Sequence, residues 1–118
     1  MKILVVDDDR LLSRAIGRTL RGYEYAIENE PERVVERLRS GEHYDLILCD
    51  MRMPKMTGGE VVAAIRALCG DDAPAIVLMS GDDADSDASA DAFLLKPFGP
   101  RELAGVIAAT TRRVQAAS

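Results

Sequence analysis

Hydrophobic positions along the chain fall into two kinds of run. Short stretches are apolar throughout: ILVV at residues 3–6, LILC at 46–49, AIVLM at 75–79 and AFLL at 92–95. Unbroken apolar runs of this length suit strands buried on both faces. Residues 23–27, YEYAI, supply a fifth strand in second position. Between them, apolar residues recur at helical spacing. Leu11, Leu12, Ala15, Ile16, Thr19 and Leu20 are followed by Gly22 as a stop. Pro31 suits a first helical turn ahead of Val34, Val35 and Leu38, with Gly41 beyond them. Thr57 and Glu60 have capping-box spacing before Val61, Val62, Ile65 and Leu68, and Gly70 ends that helix. Gly99 and Pro100 open a last helix that turns Leu103, Val106 and Ile107 inward.

Strands and helices therefore alternate, which predicts an α/β fold: a doubly wound parallel sheet with helices on both faces. The departure is the fourth crossover. Eleven residues, 81–91, join the last two strands; five are Asp and none is larger than Asp. A crossover including its helix needs at least ~10–12 residues, and this one has no apolar stripe and mediocre helix formers. It is expected to form one or two helical turns at most, or none. The fourth crossover helix is then shortened or missing, leaving apolar surface of strands four and five, or of the third helix, less covered.

The chain has 118 residues, 47% apolar and 30% charged, as in a single globular domain large enough for a real core. Residues from about 114 onward read as a short tail. No apolar run nears the ~20 residues of a membrane span. ILVV gives way to three aspartates, unlike a signal peptide, so the expectation is a cytoplasmic protein with no membrane role. A formal net charge of −5 argues against direct nucleic-acid binding. Cys49 and Cys69 lack metal-site spacing, and His43 stands alone.

Polar groups follow the strands directly: Asp7 and Asp8, then Asp50, then Ser80, then Lys96. In an open parallel sheet such positions gather along one edge, where ligands bind. Carboxylates crowded there repel one another unless a cation relieves them. Mg²⁺ takes few carboxylates and favours phosphate oxygens. The set suits phosphoryl transfer. An ionised aspartate is already a nucleophile, while metal, ammonium and hydroxyl share the oxygens of the transferred group. Asp7 or Asp8 would hold Mg²⁺ with Asp50, Lys96 would neutralise a phosphoryl oxygen, and Ser80 would donate to another. Asp9 is accounted for as a helix cap.

The motifs ILVVDDD, LILCDMRMPKMTG, VLMSG and AFLLKPF, in this order and each at a strand, resemble the receiver domain of two-component response regulators. The resemblance covers nearly the whole chain as one receiver domain, 1–118. It implies a flavodoxin-like strand order 2-1-3-4-5 and a phosphoacceptor at Asp50, served by a histidine kinase or histidine phosphotransfer protein. It implies a direct Mg²⁺ ligand in Asp8, a water-mediated one in Asp7 and a backbone carbonyl ligand from Arg52, with Mn²⁺ as a substitute metal. Lys96 would pair with the phosphoryl group, Lys96–Pro97 would be a cis peptide, and Ser80 with Phe93 would form the switch pair. Phe93 lies three residues before Lys96, where the family has its aromatic, although an aromatic in a strand is also ordinary core. Output would go to an unidentified downstream protein or through a phosphorylation-dependent homodimer. Such a domain is a self-phosphorylating substrate more than a turnover enzyme.

Two rival functions share parts of this pattern. A haloacid-dehalogenase-type phosphatase would use Asp7 as nucleophile and Asp9 as acid/base, but it leaves Asp50 without a role and places Lys96 after the Asp pair in an unsuitable order. A binding module without phosphorylation control is the other, favoured only by the shortened crossover. Asp83, Asp85 and Asp87 imitate the start of a calcium loop, but Ala88 and Leu94 stand where glycine and a bidentate glutamate are needed.

Overall fold

The computed structural model describes residues 1–85, 87 and 89–117. Five strands, β1 (Lys2–Val6), β2 (Glu24–Glu28), β3 (Leu46–Asp50), β4 (Ala75–Ser80) and β5 (Ala92–Leu95), form one sheet. Their order is 2-1-3-4-5 and every pairing is parallel. This is the doubly wound parallel sheet expected from the pattern, in the flavodoxin-like order that the receiver-domain resemblance implies. The helices are α1 (Arg10–Thr19), α2 (Val34–Arg39), α3 (Gly58–Cys69) and α4 (Pro100–Ala117). α4 extends into the stretch read as a tail, of which Ser118 lies outside the described residues.

The alternation of side chains along each strand sorts the core into two layers. Ile3, Val5, Leu46, Leu48, Val77, Met79 and Leu94 face α1 and α4, where Ile16, Leu20, Leu103 and Ile107 meet them. Leu4, Val6, Ile47, Cys49, Ile76 and Leu78 face α2 and α3, where Val34, Val61, Val62 and Ile65 close the layer. β3 and β4 are buried along their whole length, as their unbroken apolar runs require. Each α/β junction carries its own stop or start. The Asp9 carboxylate accepts from the amides of Leu11 and Leu12, and Thr57 with Glu60 closes a reciprocal capping box. Gly70, at φ +56°, ends α3 in a conformation that a side chain would strain.

The β4–β5 crossover contains a single 3₁₀ turn, Asp83–Asp85, and no α-helix among its described residues; Ser86 and Ala88 lie outside them. Polar contacts hold it down instead. The Arg66 guanidinium donates to the Ser89 carbonyl at 3.0 and 2.8 Å and lies 3.3 Å from the Asp91 carboxylate. Asp91 in turn exchanges hydrogen bonds with Ile76: its carboxylate accepts from the Ile76 amide at 2.8 Å, and its own amide donates to the Ile76 carbonyl at 2.9 Å.

The expected loss of cover falls unevenly. β4 is fully buried, contrary to expectation, because β3 and β5 flank it, α3 lies over it, and Ala90 of the crossover packs onto the same layer. The exposure appears further out. Leu95 of the edge strand is 47% exposed and Leu68 of α3 is 38% exposed, while Phe93 is partly buried against the α2–α3 layer.

Truncation should reflect this difference. Ile47→Ala is expected to lose about 2–5 kcal/mol of unfolding free energy. Leu95→Ala should stay within about 0.5 kcal/mol of wild type, as for other surface changes. Denaturant melts of the two variants check both values.

Candidate functional site

The C-terminal ends of the parallel strands bring together residues that are far apart in sequence. Asp7 follows β1 and is fully buried; its neighbour Asp8 is exposed. Asp50 is the last residue of β3, and Lys96 follows β5 directly. Ligand oxygens of Asp7, Asp8 and Asp50 lie within 4.8 Å of one another. The Lys96 ammonium donates to Asp50 Oδ1 at 2.9 Å and lies 3.8 Å from Asp7 Oδ2. The Lys96–Pro97 peptide is cis.

Local backbone contacts fix these positions. The Asp7 amide donates to the Glu28 carbonyl, tying the β1 end to β2. The Asn29 side-chain amide bridges the Asp7 carbonyl at 2.7 Å and Ser13 Oγ at 3.0 Å, which locks the turn from β1 into α1. The Met51 amide donates to the Met79 carbonyl, and the Gly58 amide returns to the Met51 carbonyl, both at 2.8 Å. α3 therefore starts against the end of β3. A Cβ at position 58 would fall 2.7 Å from both the Asp50 carbonyl oxygen and Leu78 Cδ2, so only glycine allows that approach.

The electrostatics are those of a strained anionic pocket. Asp7 Oδ1 accepts from the Asp9 amide at 3.0 Å, but the buried Oδ2 has no hydrogen-bond partner among the described residues. Burial pushes the Asp7 carboxyl up from 3.8 to about 6. The Asp9 amide opposes this, the charge of Asp50 reinforces it, Lys96 opposes it, and Asp8 adds a smaller push upward. A donor set of three clustered carboxylates, all oxygen and one of them with an unpartnered buried oxygen, fits a hard divalent cation. Cys49 is buried beside the site, and its thiol is pushed well above its usual range by burial and by the charges of Asp50 and Asp7. It is therefore inert as a thiolate ligand.

Ser80 and Arg52 sit differently from the others. Ser80 ends β4, and its hydroxyl donates to Asp85 Oδ2 at 2.6 Å. Arg52, two residues beyond Asp50, turns its side chain to the crossover. Its Nε reaches Asp85 Oδ2 at 2.6 Å, and Nη2 reaches Asp85 Oδ1 at 3.1 Å and Asp82 Oδ2 at 3.4 Å. The Arg52 contact, followed by that of Ser80, holds the Asp85 carboxyl below its usual range. In the sequence, only a false resemblance to a calcium loop marks Asp85, and nothing marks Asn29. Asp87, also part of that resemblance, is engaged with the amide and hydroxyl of Ser89.

With this geometry in place, the comparisons with known proteins are coherent. Residues 3–108 match the response regulator receiver domain model. The response regulator MprA of Mycobacterium leprae (strain TN) is 36% identical over 122 residues, covering 98% of this chain and 53% of that protein. MprA of Mycobacterium tuberculosis (strain ATCC 25177 / H37Ra) is 34% identical and is covered to 52%. The chain thus spans about half the length of the curated relatives it matches. The CheY-like receiver domain protein of Methanospirillum hungatei JF-1 superimposes with a TM-score of 0.85 at 26% identity, covering 99% of this chain and 98% of that one. The chemotaxis protein CheY4 of Vibrio cholerae gives 0.82 at 26% identity, covering 92% and 97%. The chain belongs to the response regulator receiver domain family.

The raised Asp7 carboxyl sets a pH dependence for the metal-free protein. Its folded value of about 6 lies above the ordinary 3.8, so the folded state holds this proton more tightly than the unfolded chain. The contribution of Asp7 to stability is fully present below about pH 4 and is lost as pH rises to about 6. Asp7→Asn should therefore melt higher than wild type above about pH 6, with the difference vanishing near pH 4. Added Mg²⁺ should raise the wild-type midpoint more than that of Asp7→Asn. Thermal melts across this range, with and without the cation, check both expectations.

Proposed function

We propose that residues 1–118 act as a single phospho-accepting receiver domain, in which a phosphoryl group is transferred from a phosphohistidine donor to Asp50. The observation that carries this reading is the 2.9 Å contact of the Lys96 ammonium with the Asp50 carboxylate, beside the cluster of Asp7 and Asp8. An Asp50 carboxylate oxygen attacks the phosphorus. The bond from phosphorus to the donor imidazole nitrogen breaks, and the nitrogen keeps the electron pair and is then protonated. No general base is required, because the nucleophile carries no proton when ionised.

Each neighbouring residue has a distinct task. Lys96 holds the acceptor carboxylate in place before transfer and offers positive charge to an oxygen of the arriving group. Ser80 supplies a hydroxyl donor to another oxygen. Asp7, Asp8, Asp50 and the Arg52 backbone carbonyl would hold Mg²⁺, or Mn²⁺ in its place, with Asp7 acting through water. The bound cation would neutralise charge that builds on the phosphoryl oxygens. Phe93, partly buried against the α2–α3 layer, is the aromatic half of the switch, and its repacking would accompany the movement of Ser80.

A histidine kinase or histidine phosphotransfer protein is the donor in this reading. The phosphorylated surface is read by a downstream protein or by a second copy of the chain, in the cytoplasm. Among the described residues no helix is long and apolar enough to cross a membrane. The phosphatase alternative loses support from the local geometry. Its acid/base, Asp9, is committed to capping α1 through the amides of Leu11 and Leu12.

Acetyl phosphate with Mg²⁺ should label the protein to at most one phosphoryl group per chain, without sustained turnover. Asp50→Asn should abolish labelling, and label retained by that variant would place the acceptor elsewhere. Lys96→Ala should slow labelling by roughly a hundredfold, the usual scale for removing one preorganised donor to developing charge. Intact-mass spectrometry over time measures all three.

A further inference from the structure

The hydroxyl of Ser80 has a single proton to donate. Here it is donated to Asp85 Oδ2 at 2.6 Å, which makes it a charge-assisted bond. The acceptor is itself pinned. Arg52 grips both Asp85 oxygens in a two-pronged contact of 2.6 and 3.1 Å and extends to Asp82. The Asp82 amide donates back to Ser80 Oγ at 3.2 Å, and the Ala84 amide closes a tight turn on Asp82 Oδ1 at 2.9 Å. Asp85 sits inside this knot with its side chain 16% exposed, whereas the Arg52 side chain over it is 70% exposed. Asp82, Asp83 and Ala84 are all exposed, so apolar packing adds little to holding the turn. The knot links the loop after β3, which carries the acceptor Asp50, to the turn after β4.

We propose that Asp85 is a positioning residue that latches the Ser80 hydroxyl to the crossover in the unphosphorylated protein, and that engagement of a phosphoryl group by Ser80 unlatches the Asp83–Asp85 turn. The proposal rests on the reading of Asp50 as phosphoacceptor. Its physical core is exclusion: one hydroxyl proton serves either Asp85 or a phosphoryl oxygen. The latched fraction lowers the apparent affinity of the site for a phosphoryl group, and the same coupling transmits occupancy of the site to the 82–85 turn. In this chain, a polar turn would move in a crossover that has no α-helix among its described residues.

A double-mutant cycle tests the latch. The dissociation constant of beryllofluoride, a phosphoryl mimic, is measured in the presence of Mg²⁺ by fluorine NMR. The four proteins are wild type, Asp85→Ala, Ser80→Ala and the double variant. Asp85→Ala should tighten binding by roughly ten- to hundredfold, the range expected for releasing one hydrogen bond to a charged group. In the Ser80→Ala background the same change should alter binding by no more than roughly twofold. Equal tightening in both backgrounds would mean that Asp85 acts only through its charge, and it would overturn the latch, as would no tightening in either. If wild type shows no Mg²⁺-dependent binding of the mimic at all, the phosphoacceptor reading fails and takes the latch with it. Binding by wild type that is insensitive to Asp85→Ala removes the latch alone.

Discussion

Mutual repulsion among Asp7, Asp8 and Asp50 is the constraint around which the functional edge is arranged. Three carboxylates within 4.8 Å would separate if the backbone let them. They cannot, because two extend directly from adjacent strands buried in the sheet centre, β1 and β3, whose packing fixes where their ends point. Lys96 offsets part of the crowding from the far side, brought there by β5. What remains is an orphaned oxygen on Asp7 and a carboxyl pushed up to about 6. The core thus holds the site in a conformation its own charges resist, and a hard cation would relieve it. Binding energy at such a site is available because folding has already kept the ligands together.

The fold could be read because its signals are local and redundant. Four unbroken apolar runs, each followed by a polar residue, specify buried parallel strands and place Asp7, Asp50, Ser80 and Lys96 at one rim without knowledge of any side-chain contact. Caps such as Asp9 and Thr57 with Glu60 mark helix starts within three residues of sequence. Asp85 and Asn29 follow no such rule. The partners of Asp85 are 33 residues away in Arg52 and five away in Ser80, and those of Asn29 are 22 and 16 residues away in Asp7 and Ser13. No periodicity encodes these pairings, because the acidic crossover has no face to bury. The full burial of β4 was missed for a related reason. A central strand is shielded by both neighbouring strands and by α3, so loss of one helix uncovers the margin, at Leu95 and Leu68, before it uncovers the middle.

The described residues of the crossover show how a connection without a large apolar side chain is held by polar contacts. Its two ends are held by two arginines, one from the loop after β3 and one from α3. Arg52 holds the turn at Asp85, and Arg66 of α3 holds Ser89 and Asp91 near the start of β5. Aspartates that are poor helix formers become useful here as acceptors for their own backbone amides and for guanidinium groups. The segment is therefore short, acidic and pinned at discrete points rather than along a continuous stripe.

Fastening by exposed ion pairs has a consequence that a helix fastened by greasy contact area would not share. At physiological ionic strength the Debye length is about 8 Å, and it shrinks as salt rises. The guanidinium of Arg52 lies at the surface, within reach of that screening. Apolar packing, by contrast, holds or tightens when salting-out ions are added. The Arg52 side of the contact that holds the segment next to Ser80 is thus the side that added salt would screen.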